Sequence, residues 1–171
     1  LRAASLKYPE HHLTQLHLGA ILLEDSFFDQ AIAALIRAHQ LEPQNIPSIE
    51  LLAHALDSAG RLDEALGYYQ QVISTDPYNR RATHFLARKG FTDGQRLFLE
   101  GNHEQAFACW SSTFKSHQTA FLADKIVVNG FASLIKSFSK ETPLAEHLND
   151  YRTAIATAEA RLCAAHTLFT R

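Results

Sequence analysis

Apolar positions recur at helical spacing along most of the chain. Leu18, Gly19 and Leu22 lead to a break at Ser26, and Phe28, Ala31, Leu35 and Ala38 then resume the same rhythm of threes and fours. The pattern predicts two amphipathic helices joined by a tight turn. The next segment repeats the arrangement around Ala59-Gly60, where glycine suits a left-handed helix C-cap. Asp63 and Glu64 fall in the first turn of the helix that follows, where the macrodipole favours them. Proline closes each pair, because the residue before it is pushed out of helical space.

The pairs are copies at a fixed step. Pro9, Pro43 and Pro77 mark a 34-residue period, and the same step relates Leu18, Leu52 and Leu86, then Gly19, Ala53 and Ala87, then Ala31 and Ala65, and Leu35 and Tyr69. The third copy is longer, since its next alanine, Ala106, follows Ala65 at a step of 41 rather than 34. The seven extra residues make almost two helical turns. Placed in the first helix of the copy, they leave the second helix facing the same way, so 80–100 is predicted as one long helix. Gly90 and Gly94 inside it each cost about 1 kcal/mol relative to alanine, which makes a break near Gly90 the competing expectation.

These columns resemble the tetratricopeptide repeat family, whose 34-residue unit favours Leu-Gly, two alanines and a closing proline. Here they are Leu18-Gly19, Ala31, Ala38 and Pro43. The second unit carries Leu52-Ala53, Gly60, Ala65 and Pro77 and departs at Val72, where alanine is usual. Leu1, Ala4 and Pro9 fall on the columns of Leu35, Ala38 and Pro43, so the chain is expected to begin in the second helix of a repeat from a longer array. The resemblance implies an all-α fold, a right-handed superhelical array of antiparallel helix pairs. Its expected units are 1–11 as the tail of a preceding repeat, 12–45, 46–79, an extended atypical unit at 80–117, and a C-terminal helical cap at 118–171.

Beyond His117 the repeat fades, and Thr119–Lys140 and Thr142–Thr170 read as two further amphipathic helices. Thr142-Pro143 offers an N-cap and a first-turn proline. Leu144, Leu148, Tyr151, Ile155, Ala158, Leu162 and Ala165 then form a one-sided stripe. Leu122, Ile126, Gly130, Leu134 and Phe138 are its expected antiparallel partner. Such a pair either caps the last open face of the array or serves as a seam between copies.

The composition is 46% hydrophobic, which suffices for a core and excludes disorder. A net charge of −2 shows no basic excess, so no nucleic-acid partner is expected, and no apolar run approaches the roughly 20 residues of a membrane span. Leu1–Lys7 lacks the pattern of a secretory signal, and Cys109 and Cys163 form no disulfide framework. A reducing, cytoplasmic setting is the expectation. The charges are unevenly placed. Residues 1–79 carry 4 basic and 10 acidic side chains, a balance of −6, whereas 80–171 carry 12 and 8, a balance of +4. That polarity points to surfaces with different partners.

Chemistry-bearing motifs are sparse. Of the ten histidines only His11, His12 and His17 cluster, at spacings that do not place two ligands on one helix face, so no metal or other cofactor is expected. No GxSxG, HExxH, phosphate-loop or dinucleotide motif occurs, and Cys109 beside Trp110 reads as a buried small hydrophobe. No catalytic residue is assigned.

What remains is a surface. The resemblance implies that the first helices of the units line a concave groove. The groove-facing positions are Leu13, Leu16, Ala20, Leu23 and Glu24 in the first unit, Pro47, Glu50, His54, Asp57 and Ser58 in the second, and Arg81, His84, Arg88 and Phe91 in the third. Independently of any family, Glu50, His54 and Asp57 at steps of four and three share one helix face. The groove reads apolar, then acidic, then basic, which suits an amphipathic or extended peptide with a cation near its middle. The family's chaperone-tail binders hold a terminal carboxylate with lysine and asparagine where this chain has Leu16, Ala20, Glu50 and His54, so that activity is not implied. The expected function is a protein–protein interaction module. The alternatives are a scaffolding region of a larger multidomain enzyme, with a homo-oligomer seam at 142–170, or a secretion or assembly chaperone.

Overall fold

The computed structural model describes residues 10–137, 153–158 and 160, and its elements are helices: α1 His12–Glu24, α2 Phe28–Leu41, α3 Ile46–Ser58, α4 Leu62–Thr75, α5 Arg80–Leu99, α6 His103–Ala123 and α7 Lys125–Ser137. Among the described residues there is no strand. The protein has an all-α, tetratricopeptide-like fold of helix pairs. It divides between Ala82 and Thr83 into two compact units.

In the first unit α1 pairs with α2 and α3 with α4, and α2 also packs on α3. Each hairpin turn is built in the same way. Gly60 adopts φ +77°, its N–H donates to the Asp57 carbonyl, and the Arg61 N–H donates to the Leu56 carbonyl at 2.9 Å, the two bonds of a Schellman cap. Ser26, one repeat period earlier in the chain, forms the same pair of bonds to Leu23 and Leu22, and Gly101, in the lengthened third copy, forms it to Phe98 and Leu97. The helix starts keep step too. His11 Nδ1 accepts the Thr14 N–H, Asn45 Oδ1 the Ser48 N–H and Asn79 Oδ1 the Ala82 N–H, each one repeat period after the last.

Ser26 performs glycine's task at φ +62°. Its Cβ is strained there, so Ser26→Gly is expected to stabilise the first unit by about 0.5–1 kcal/mol. Urea unfolding followed by circular dichroism measures this, and a loss of stability would contradict it.

The core of this unit holds the predicted Ala31, Leu35, Leu52, Ala53, Ala65 and Tyr69, joined by Ile49 and Val72, all at most 1% exposed. The Gly19, Ala53, Ala87 column marks where side chains must stay small. At Gly19 a Cβ would overlap Leu35, lying 2.7 Å from its Cδ2.

In the second unit the seven extra residues sit in the first helix, as the period required. The helix α5 has 20 residues against 13 in α1 and in α3, and it runs unbroken through Gly90 and Gly94. Those glycines serve packing. A Cβ at Gly90 would strike Thr113 of α6, and one at Gly94 would strike the Trp110 indole. The close approach lets Trp110 Nε1 donate to the Phe91 carbonyl at 3.0 Å and Cys109 Sγ donate to that of Gly90 at 3.4 Å.

The helix α6 is kinked at His117 (φ −133°, ψ 37°). The expectation of one helix over Thr119–Lys140 is corrected, because the chain leaves helical space at Asp124 (φ −86°, ψ 112°), whose Oδ1 accepts the Val127 N–H at 3.3 Å to start α7. The break resets the helical phase. The face of α7 in the core is therefore Val127, Val128, Phe131 and Ala132, while Gly130 lies against Phe91. Residues 153–158 are helical, and Ile155 and Ala158 belong to this same core. The rest of the predicted stripe, with Leu144, Leu148, Tyr151, Leu162 and Ala165, lies outside the described residues, as do Phe138 and the 1–9 tail.

Candidate functional site

In the first unit α3 is set by Asn45 at its N-terminus and by the Gly60 turn at its C-terminus. Ile49, Leu52, Ala53 and Leu56 go into the core, which leaves Glu50, His54 and Asp57 along the opposite side, all half-buried. They meet the start of α5. Glu50 Oε2 accepts from Asn79 Nδ2 at 3.0 Å, and Glu50 Oε1 accepts from Arg81 Nη1 at 2.8 Å. Both carboxylate oxygens are thus engaged within the unit. Arg81 is 43% exposed and Glu50 25% exposed, so the pair lies at the surface with the carboxylate on its inner side.

The electrostatics follow from this geometry. Burial draws the His54 imidazole below its ordinary 6.5, Arg81 acts in the same direction, and Asp57 and Glu50 oppose them. At pH 7 His54 is neutral. The unfolded chain binds a proton here more readily than the folded one, so this group favours folding above its unfolded pKa and counts against it as pH falls through that range. Burial also raises the Tyr69 phenol well above its usual range, and Asp57 acts in the same direction. A neutral phenol therefore lies beneath the cluster.

On α1, Leu13 is 51% exposed, Ala20 is half-buried and Glu24 is exposed. Leu16 and Leu23 are corrections to the groove reading. At 8% exposure each belongs to the buried stripe of α1 with Gln15, Gly19 and Leu22, and neither presents a surface. Pro47 and Ser58 are exposed at the two ends of α3.

In the second unit His84 is half-buried and Arg88 is exposed, but Arg88 Nε and Nη2 both donate to Asp124 Oδ2, at 3.2 and 3.0 Å. Its charge is spent on the α7 cap. Phe91 is also corrected, being 2% exposed and packed edge-on to Phe121 at 6.3 Å and tilted against Phe131 at 6.0 Å. The wrapping of α5 by α6 and α7 turns that register position inward.

Asn79 is a site residue that the groove positions do not include. Its signal was the 34-residue step from Asn45, which likewise caps a helix through Oδ1 while its amide reaches a glutamate, Glu42, at 3.1 Å.

One group imitates a catalytic set. His12 Nε2 lies 2.7 Å from Ser48 Oγ, and His12 Nδ1 lies 3.4 Å from Glu42 Oε2. Ser48, however, is fully buried and donates its hydroxyl proton to Asn45 Oδ1 at 3.0 Å, so the histidine faces a serine oxygen that no substrate can approach. The group ties α1 to α3. Cys109 is half-buried rather than the fully buried side chain expected, and partial burial and then Asp93 raise its thiol pKa and keep it protonated. Among the described residues no three histidine, cysteine or acidic side chains converge to hold a metal, and no helix is long and apolar enough to cross a membrane.

Repeated hairpins with shared caps, shared turns and a 34-residue step define a helical-repeat protein. Residues 22–89 match the model of the tetratricopeptide repeat. No curated protein matches it in sequence. Repeats of this family are non-catalytic modules that generally mediate contacts between proteins.

Proposed function

We propose that the protein is an interaction module without catalytic activity of its own, and that the α3 face of the first unit is where it holds a peptide or partner protein. The observation that carries this reading is the half-buried set Glu50, His54 and Asp57, ordered along one helix face and steadied by Asn79. Leu13 and Ala20 of α1 supply apolar surface to the same groove reading. The partner is a basic or mixed-charge segment, in keeping with the balance of −6 over residues 1–79. The proposed face is confined to the first unit; in the second, Arg88 is committed to Asp124.

The test is the double variant Glu50→Lys with Asp57→Lys. Partner affinity is expected to fall by at least tenfold, and the weakening of wild-type binding between low and high salt is expected to flatten in the variant. An affinity and salt dependence equal to those of the wild type would refute the assignment of this face.

A further inference from the structure

The acidic face already holds a cation. Glu50 Oε1 is taken by the Arg81 guanidinium, a residue 31 positions away, at the beginning of α5. We propose that Arg81 is a built-in occupant of the groove, holding the place on Glu50 that an arginine or lysine of the ligand takes, so that binding a basic peptide requires the Arg81–Glu50 pair to open. This inference rests on the α3 face being the binding surface.

Three features make Arg81 displaceable and Glu50 ready for its replacement. Arg81 is the more exposed partner, 43% against 25%, and an ion pair at such a surface is weak, so a competing cation meets little resistance. Asn79 stays behind when Arg81 leaves. Its Oδ1 caps α5 through the Ala82 N–H at 3.0 Å, so its amide cannot swing away from Glu50 Oε2 without uncapping the helix, and the carboxylate keeps its aim. Finally, Asp57 and Glu50 both act on His54, and Arg81 acts against them. Removing Arg81 leaves two acids facing an imidazole, a more negative surface than the resting one. The resting pair therefore screens the groove against non-specific cations and sets a threshold that a well-placed ligand side chain must pass.

The test uses a fluorescein-labelled nonapeptide of alternating leucine and arginine, with the leucine–glutamate counterpart as control. It is titrated into wild type, Arg81→Ala, Arg81→Gln, Glu50→Gln and the Arg81→Ala/Glu50→Gln double variant. Arg81→Gln keeps two of the three methylenes of the stem and helps to separate loss of charge from loss of packing. Both Arg81 variants are expected to bind the arginine peptide about three- to fivefold tighter than wild type, the gain set by the modest strength of a surface ion pair. Glu50→Gln is expected to bind more weakly, and Arg81→Ala to add nothing in its background. The His54 imidazole, followed by NMR, is expected to titrate at higher pH in Arg81→Ala than in wild type. If wild type and both Arg81 variants bind equally, and all depend on Glu50, the groove reading stands and the occupant role of Arg81 is overturned. If the peptide binds none of them, both fall.

Discussion

Replacing Ile155 with aspartate is expected to unfold the second unit. Ile155 is 2% exposed within the core formed by Phe91, Trp110, Phe121, Val127 and Phe131. The change removes a buried aliphatic side chain and leaves a carboxylate there without a partner. Together these cost about 4 kcal/mol or more, which is most of the stability of a small domain. Trp110 is the single tryptophan and is 1% exposed in the same core, so its emission reports this unit alone. The expected result is a red-shifted, quenched spectrum at 25 °C with the helicity of the first unit retained. If the variant keeps the buried emission and light scattering shows only a change from dimer to monomer, Ile155 belongs to a seam between copies, and the capping role of the C-terminal segment is wrong.

The second large effect opposes a general rule. Gly94 sits in the interior of α5, where alanine would ordinarily stabilise a helix by about 1 kcal/mol. Here the added methyl would overlap the Trp110 indole, with its Cε2 only 2.6 Å away, and would push Nε1 from the Phe91 carbonyl it bonds at 3.0 Å. The indole is 1% exposed and packs against the rings of Phe98, Phe107 and Phe131. Overpacking and the lost buried hydrogen bond together outweigh the propensity gain, so Gly94→Ala is expected to lower the stability of the second unit by about 2–3 kcal/mol. Tryptophan-detected urea unfolding measures it. A stability equal to or above that of the wild type would show that α5 and α6 do not approach as described.

These glycines also mark where the sequence could and could not be read. The hairpins were legible because their signals are local: the apolar stripes, the Gly60 turn and the proline after each pair all lie within a few residues of what they determine. The insertion was legible because two periods, 34 and 41, can differ only by a segment of fixed length. Seven residues fit one helix without turning its neighbour. The reason for Gly90 and Gly94 was not legible, since propensity prices a glycine within its own helix whereas Thr113 and Trp110 lie on another. Phe91 was misplaced for the same kind of reason. Its register belongs to a groove in a regular repeat, but α7, which begins at the unforeseen break at Asp124, carries Phe131 and Gly130 onto it.

At the candidate site the helical face of Glu50, His54 and Asp57 followed from spacing alone. The cation was the part that spacing could not deliver. Spacing presents Glu50 as awaiting a charge from a partner and Arg81 as part of a separate basic stretch, yet the two meet at 2.8 Å. The acidic and basic positions read from the sequence are thus partly neutralised by internal partners, Glu50 by Arg81 in the first unit and Arg88 by Asp124 in the second.

The most direct test of the α3 face as the binding surface is an amide hydrogen-exchange footprint of the full chain with and without a partner that it retains. The account predicts that binding slows exchange in 46–58 and in the exposed face of 12–24, and that Glu50→Lys with Asp57→Lys abolishes this protection. Protection confined to residues beyond 83, with 46–58 exchanging as in the free protein, would contradict it.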